Sequence, residues 1–254
     1  MASYSMVQPP ARVFDDIPVL CGHRGLGRGV VDGQRENTLG SFRAAVAAGV
    51  SWLEVDVRAT ADGVLVALHN PSTEDGRAVS SMRAVEAEDR GLMRIPDLLD
   101  DLPLHVGINL EIKTALEDAQ RPSSETTAAL TADLVNRQGR GRRILCTSFD
   151  ASAPLIVRRR SPGTPVGLLT WIRFPLRKAI PAAVHLGMDV VAPQVQSFRL
   201  GEAPAAEIAH AVQVAHDAGL QVVAWCPDAA EAEQLIAARV DCLIVDDVPA
   251  AVGR

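Results

Sequence analysis

Eight short apolar, β-branched runs recur along the 254-residue chain, separated by longer helical patterns. They are Val19–Gly22, Trp52–Arg58, Gly107–Lys113, Arg143–Thr147, Val166–Thr170, Asp189–Ala192, Gln221–Trp225 and Cys242–Asp246. Strands that alternate with helices pair in parallel, because each helix carries the chain back to the same end of the sheet. Eight such units over this length predict a closed (β/α)8 TIM barrel, with an open doubly wound sheet as the alternative. A single barrel domain is expected over residues 18–254. Residues 1–17 are broken by Pro9, Pro10, Asp15 and Asp16 and predict a loosely ordered N-terminal arm.

One stretch departs from the alternation. Asp62-Gly63 stands between two apolar runs, which signals a hairpin. An extra strand over Val64–Leu68 is therefore expected to fold back beside the second barrel strand and end at His69, with a short irregular excursion over residues 70–105. Helix starts are expected at Asn37, Ser124 and Asp150, and Asp228 with Glu231 has the form of a capping box.

The formal net charge is −6, which argues against a nucleic-acid partner but leaves room for a phosphate ester in a locally positive pocket. The four cysteines, Cys21, Cys146, Cys226 and Cys242, lie in or beside apolar runs with no C-x-x-C spacing. They read as buried free thiols, which suits a reducing, cytoplasmic setting.

The chemistry gathers on the first three barrel strands. Side chains alternate across a strand, so Glu54 and Asp56 share one face, and Asn109, Glu111 and Lys113 share another. Charges on the inward faces of a barrel are costly without partners. A divalent cation held by Glu54, Asp56 and Glu111 removes that cost, and oxygen ligands suit Mg²⁺ or Ca²⁺. The alternative is an ion-pair network of the same carboxylates with Arg24, Arg58 and Lys113. His23 follows the first strand and His69 ends the back-folded one, and two imidazoles can divide the tasks of giving and taking a proton. Arg24 can fork onto two phosphate oxygens, and Lys113 supplies a point charge. Trp225 ends the seventh strand and either lines the pocket or packs in the core. His105, His185, His210 and His216 lack nearby carboxylate patterns. Gly25-Leu26-Gly27-Arg28-Gly29 has neither the Lys-Ser/Thr ending of a P-loop nor dinucleotide spacing.

These residues fall into an ordered series: His23-Arg24-Gly25, Glu36-Asn37-Thr38, Glu54-Val55-Asp56, Asp62-Gly63, His69, Glu111-Ile112-Lys113 and Ser148-Phe149-Asp150. The series continues through Gly219 to Trp225 and ends at Asp246. It resembles the glycerophosphodiester phosphodiesterase family over about residues 19–250. The resemblance implies hydrolysis of glycerophosphodiesters to glycerol 3-phosphate and an alcohol. His23 and His69 would be general acid and base, and Glu54, Asp56 and Glu111 the metal ligands. Arg24 and Lys113 would contact phosphate, and Glu36 would support the metal or orient its neighbours. It further implies attack by the substrate's own glycerol hydroxyl through a cyclic phosphate. Asn70 stands where the family usually has Asp, the Gly25–Glu36 loop is long, the excursion after His69 is short, and Cys226 replaces a residue that is often polar. Two alternatives follow: a lysophospholipase D or sphingomyelinase D type of phosphodiesterase, and a barrel that binds phosphoesters without turnover.

Trp171-Ile172-Arg173-Phe174-Pro175-Leu176-Arg177-Lys178 follows the fifth strand. Its favoured reading is a loop capping the barrel; the sharper one is a surface that accepts a lipid tail or touches an anionic membrane. A small-molecule glycerophosphodiester is the expected partner.

Overall fold

The alternating apolar runs close into a barrel, seen here in a computed structural model that describes residues 12–15 and 17–253. The barrel strands are β1 (Val19–Gly22), β4 (Trp52–Ala59), β6 (Gly107–Ile112), β7 (Ile144–Ser148), β8 (Val166–Thr170), β9 (Val190–Pro193), β10 (Gln221–Trp225) and β11 (Cys242–Val245). Each pairs in parallel with the next, and β1 pairs with both β11 and β4, which closes the ring. The TIM barrel is thus confirmed over the open sheet. The helices between strands are α1 (Leu39–Ala47), α2 (Ala84–Glu88), α3 (Ile95–Asp101), α4 (Thr127–Gln138), α5 (Ser152–Arg160), α6 (Leu176–His185), α7 (Ala205–Asp217) and α8 (Ala229–Ala237), with α9 (Val248–Val252) after β11. No helix among the described residues is long and apolar enough to cross a membrane.

Two apolar layers follow from the period-two alternation. Trp52, Leu145, Leu169, Val190, Val223, Cys242 and Ile244 pack together inside the barrel. Leu53, Val55, Val57, Ile108 and Leu110 face the other way and pack with helix residues such as Leu98 and Leu134. Of the expected loose arm, residues 1–11 and Asp16 lie outside the described residues. Val13 and Phe14, by contrast, are buried under the barrel. Their backbone N–H groups donate to Gln221 Oε1 at 2.7 and 2.9 Å, and the Phe14 ring lies 4.9 Å from Trp52. The apolar pair in Arg-Val-Phe-Asp fills the open lower end of the ring, where burial outweighs chain entropy. Phe14→Ala is expected to cost roughly 3–5 kcal/mol, read as a lower midpoint in denaturant unfolding.

The hairpin forms where Asp62-Gly63 places it. β5 (Leu65–Ala67) runs antiparallel to β4, with Val57 opposite Ala67 and Ala59 opposite Leu65. Gly63 has φ +79°, and the Thr60 N–H donates to the Val64 carbonyl at 2.9 Å. A second small hairpin, β2 (Val30–Val31) and β3 (Gln34–Arg35), arises inside the long Gly25–Glu36 loop, where no strand was expected. It turns on Asp32 and Gly33, both at positive φ. The excursion after His69 is more ordered than expected, since it carries α2 and α3. The expected cap at Asn37 moves one residue on. Thr38 caps α1 by accepting from the Ser41 N–H at 3.3 Å, because Asn37 is drawn into the barrel. Likewise Thr126, not Ser124, caps α4. The Asp228–Glu231 box forms as read, with both bonds at 2.8 Å.

Candidate active site

β4 and β6 run side by side with Glu54 opposite Asn109 and Asp56 opposite Glu111. That register brings three carboxylates together inside the C-terminal mouth of the barrel, where barrel enzymes carry their chemistry. One oxygen from each of Glu54, Asp56 and Glu111 lies within 4.8 Å of the others. All three residues are buried, at 1%, 0% and 6% relative exposure, so their mutual repulsion is not relieved by water.

Two cations stand against these three anions. The Arg24 guanidinium reaches Glu36 Oε1 at 2.9 Å and Asp56 Oδ2 at 3.2 Å. The Lys113 ammonium lies 3.1 Å from Asp56 Oδ1 and against Glu111. This is part of the ion-pair network weighed from sequence, but it does not complete the site. Glu54 Oε1 is buried without a hydrogen bond, and so is Asp56 Oδ1, whose nearest cation is Lys113. Arg58, expected in the network, turns away and donates to the carbonyls of Leu68, at 3.1 Å, and His69. Orphaned carboxylate oxygens and a deficit of positive charge fit a divalent cation with oxygen ligands.

The shifts agree with that deficit. Burial, reinforced by Asp56 and Glu111, pushes the Glu54 carboxyl well above the usual range. Burial also raises Glu111, against the opposing pull of Lys113. For Asp56, burial is outweighed by Lys113 and Arg24, and its carboxyl falls below the usual range. Burial lowers Lys113, but Glu111 and Asp56 more than reverse this and hold the ammonium charged.

His23 and His69 line one cavity of about 370 Å³ with Glu54, Glu111, Lys113, Phe149 and Trp225. His23 follows β1, and the chain then turns sharply through Arg24 (φ 55°) and Gly25 (φ 101°). A Cβ on Gly25 would lie 2.5 Å from Ser41 Oγ, so glycine is required at this turn. The turn aims the Arg24 N–H at Glu54 Oε2, 2.9 Å away. His23 Nε2 is 3.8 Å from the same oxygen. Its Nδ1 is hydrogen-bonded to the Asp246 carboxylate. His69 is held differently: its Nδ1 lies 3.0 Å from Asn70 Oδ1, and Arg58 grips its carbonyl. Burial keeps the His69 imidazole below its ordinary pKa, despite the opposing charge of Asp56.

Four residues here were not assigned from sequence. Asp246 pairs with His23; its position at the end of the last strand was the available signal. Asn37, expected as a helix cap, donates from Nδ2 to Asp56 Oδ2 at 2.8 Å and sits at φ 56°, a conformation Asn tolerates. Phe149 lines the cavity between Trp171, stacked at 4.3 Å, and Trp225, edge-on at 5.7 Å. Cys226 Sγ approaches His23 Nδ1 at 3.6 Å. Burial, with Asp246 adding to it, pushes that thiol far up, so it is no nucleophile. His23, Cys226 and Asp246 also form a tight group, but its imidazole and carboxylate already satisfy each other.

Residues 23–250 match the glycerophosphoryl diester phosphodiesterase family. The chain belongs to this family. The span runs from His23 past Asp246 and so takes in every residue of the cavity's acidic and imidazole groups. The family member is 29% identical over 227 residues to a protein named probable glycerophosphodiester phosphodiesterase 2 of Mycobacterium tuberculosis, covering 83% of this chain and 81% of that one. It is 24% identical over 249 residues to a glycerophosphodiester phosphodiesterase of Caldanaerobacter subterraneus subsp. tengcongensis, covering 90% and 94%. Its fold matches that of an Oleispira antarctica phosphodiesterase solved with the product sn-glycerol-3-phosphate. The TM-score is 0.72 at 19% identity, over 93% of this chain and 95% of the other.

Proposed function

We propose that this protein hydrolyses glycerophosphodiesters to glycerol 3-phosphate and an alcohol, with a divalent cation, Mg²⁺ or Ca²⁺, at Glu54, Asp56 and Glu111. The observation that carries the reading is the buried trio of carboxylates, with two oxygens left without hydrogen bonds, in a barrel mouth whose cavity both imidazoles line. The cation, when bound, supplies Lewis-acid stabilisation of charge on the phosphoryl oxygens. Everything else falls to the chain's own side chains. Once the carboxylates have a metal partner, Lys113 and Arg24 are free to meet phosphate oxygens. Glu36 holds the Arg24 guanidinium in place for that task. Phe149 and Trp225 form the apolar wall beside the reacting group.

The two histidines divide the proton work by their supports. The Asn70 amide oxygen accepts from the His69 Nδ1–H, which leaves Nε2 as the basic nitrogen. Burial favours that neutral form, so His69 is the base that takes the proton from the substrate's glycerol hydroxyl. The Asp246 carboxylate beside His23 Nδ1 stabilises an imidazolium, so His23 gives its proton to the departing alcohol. Asp246 acts through His23 and is a positioning residue. No covalent enzyme intermediate is needed: the glycerol hydroxyl displaces the alcohol to give a cyclic phosphate, and water, giving its proton to the now neutral His23, opens that ring while His69 returns its proton to the departing glycerol oxygen.

Metal-stripped protein, assayed with defined metals on glycerophosphocholine and lysophosphatidylcholine, tests the reading. Metal-dependent release of glycerol 3-phosphate from glycerophosphocholine is the expected result. Ligand-induced stabilisation without turnover under any added metal would reduce the protein to a phosphoester-binding barrel. Choline release from lysophosphatidylcholine alone would move it to the lysophospholipase D class.

Asn70→Asp gives a separate check on the base. A carboxylate at this place would favour the charged imidazole and raise the His69 pKa. The base must be neutral to act, so the acidic limb of the kcat/KM profile is expected to move to higher pH. An unmoved limb would remove His69 as the base.

A further inference from the structure

The loop after β8 carries a surface that the proposed chemistry does not use. It leaves the barrel at the same rim where the cavity opens, and its apolar side chains point outward. Trp171 is 66% exposed, Ile172 57% and Phe174 37%. The loop is a defined turn: Arg173 takes the left-handed conformation at φ 58°, and the Phe174 N–H donates to the Trp171 carbonyl at 3.1 Å.

Single exposed apolar residues are ordinary on any protein. Here three in four consecutive positions are joined by Arg173, Arg177 and Lys178. Among the described residues none of these three cations is in an ion pair; Arg173 makes only a neutral contact, to Gln196 Oε1 at 3.2 Å. The chain has no acidic residue between Asp150 and Asp189, although its net charge is −6. Bulky apolar and aromatic side chains beside unpaired cations suit the headgroup layer of a bilayer, where each part finds its medium. An acidic protein surface would pair the cations but would leave the apolar side chains unexplained.

We infer that the Trp171–Lys178 loop docks the mouth of the barrel on an anionic lipid surface. Ile172 and Phe174 enter the headgroup layer with the outer face of Trp171, and Arg173, Arg177 and Lys178 meet lipid phosphates. The inner face of Trp171 stacks on Phe149, so the aromatic wall of the cavity continues into the docking loop. Docking would therefore set the mouth of the cavity against the membrane.

The test is co-sedimentation of the full chain with vesicles of phosphatidylcholine, alone or mixed with phosphatidylglycerol. Binding to the mixed vesicles is expected to exceed binding to the neutral ones by on the order of 10²-fold, from three basic residues near a charged surface. Added salt should weaken it, and tryptophan emission should shift to the blue on binding. The triple variant R173Q/R177Q/K178Q is expected to lose binding by about the same factor. The double variant I172S/F174S is expected to lose about tenfold or more. Neither set belongs to the cavity, so both variants should keep turnover of dissolved glycerophosphocholine. Sedimentation requires no turnover, so a failed phosphodiesterase assay leaves this inference standing, and the reverse holds too. It is overturned if the wild type stays in solution with mixed vesicles at low salt, or if neither variant weakens pelleting. It is also overturned if soluble polyglutamate binds as tightly as the vesicles and no blue shift accompanies the vesicles.

Discussion

Alanine at His69 is expected to lower kcat on glycerophosphocholine by roughly 10²- to 10⁴-fold, the usual worth of one placed acid or base. His23→Ala should fall by a similar factor, with the fold intact in both cases by circular dichroism. The pair should not be additive, because each imidazole is useful only while the other completes the proton transfer. Asp246→Asn adds a finer measurement. It keeps the shape beside His23 Nδ1 but removes the charge that favours the imidazolium, so kcat should fall while KM changes little. Full activity in either alanine variant would remove that histidine from the proposed reaction.

Stripping the metal with a chelator is expected to reduce turnover by roughly 10³-fold or more, since a Lewis acid at a phosphoryl group supplies several kcal/mol. Adding back Mg²⁺ or Ca²⁺ should restore activity and also raise stability, by about 2.7 kcal/mol at a hundredfold excess over Kd. Glu54→Gln separates the two effects. In metal-free protein the Glu54 carboxyl has its pKa raised in the folded state by burial and by its acidic neighbours. A group raised in this way adds stability below its unfolded pKa and loses it as pH rises through the folded value. Metal-free wild type should therefore lose stability relative to Glu54→Gln as pH climbs through that window. The variant should be the more stable apoprotein at neutral pH and should lose most of the metal response in thermal unfolding. Equal stabilisation of wild type and variant by metal would rule out Glu54 as a ligand.

The barrel was legible because its signal is periodic and repeated. Each apolar run is bounded by polar residues, and the β4 pattern of Trp52, Glu54 and Asp56 against Leu53, Val55 and Val57 already separates inside from outside. The three carboxylates could be grouped for the same reason, since alternation along a strand by itself fixes a shared face. What escaped depends on where loops arrive. Asn37 carries a sound capping signal, but a bond to a buried Asp56 outweighs a bond to an exposed backbone N–H. Asp246 lies more than two hundred residues from His23, and nothing local announces their contact. The β2–β3 hairpin has strands of two residues each, too short for any alternation to show. Val13 and Phe14 look like part of a polar tail until the open floor of the ring supplies the space they fill.

The two imidazoles stand on unlike supports. One grows from the staves of the barrel, and the other rides on a folded-back flap whose tip is held by the Arg58 grip on the Leu68 and His69 carbonyls. Insertions or deletions beyond that flap can reshape one side of the cavity without moving the three carboxylates or the first imidazole. On the proposed reaction, such changes alter which alcohol fits while the carboxylates and His23 keep their places.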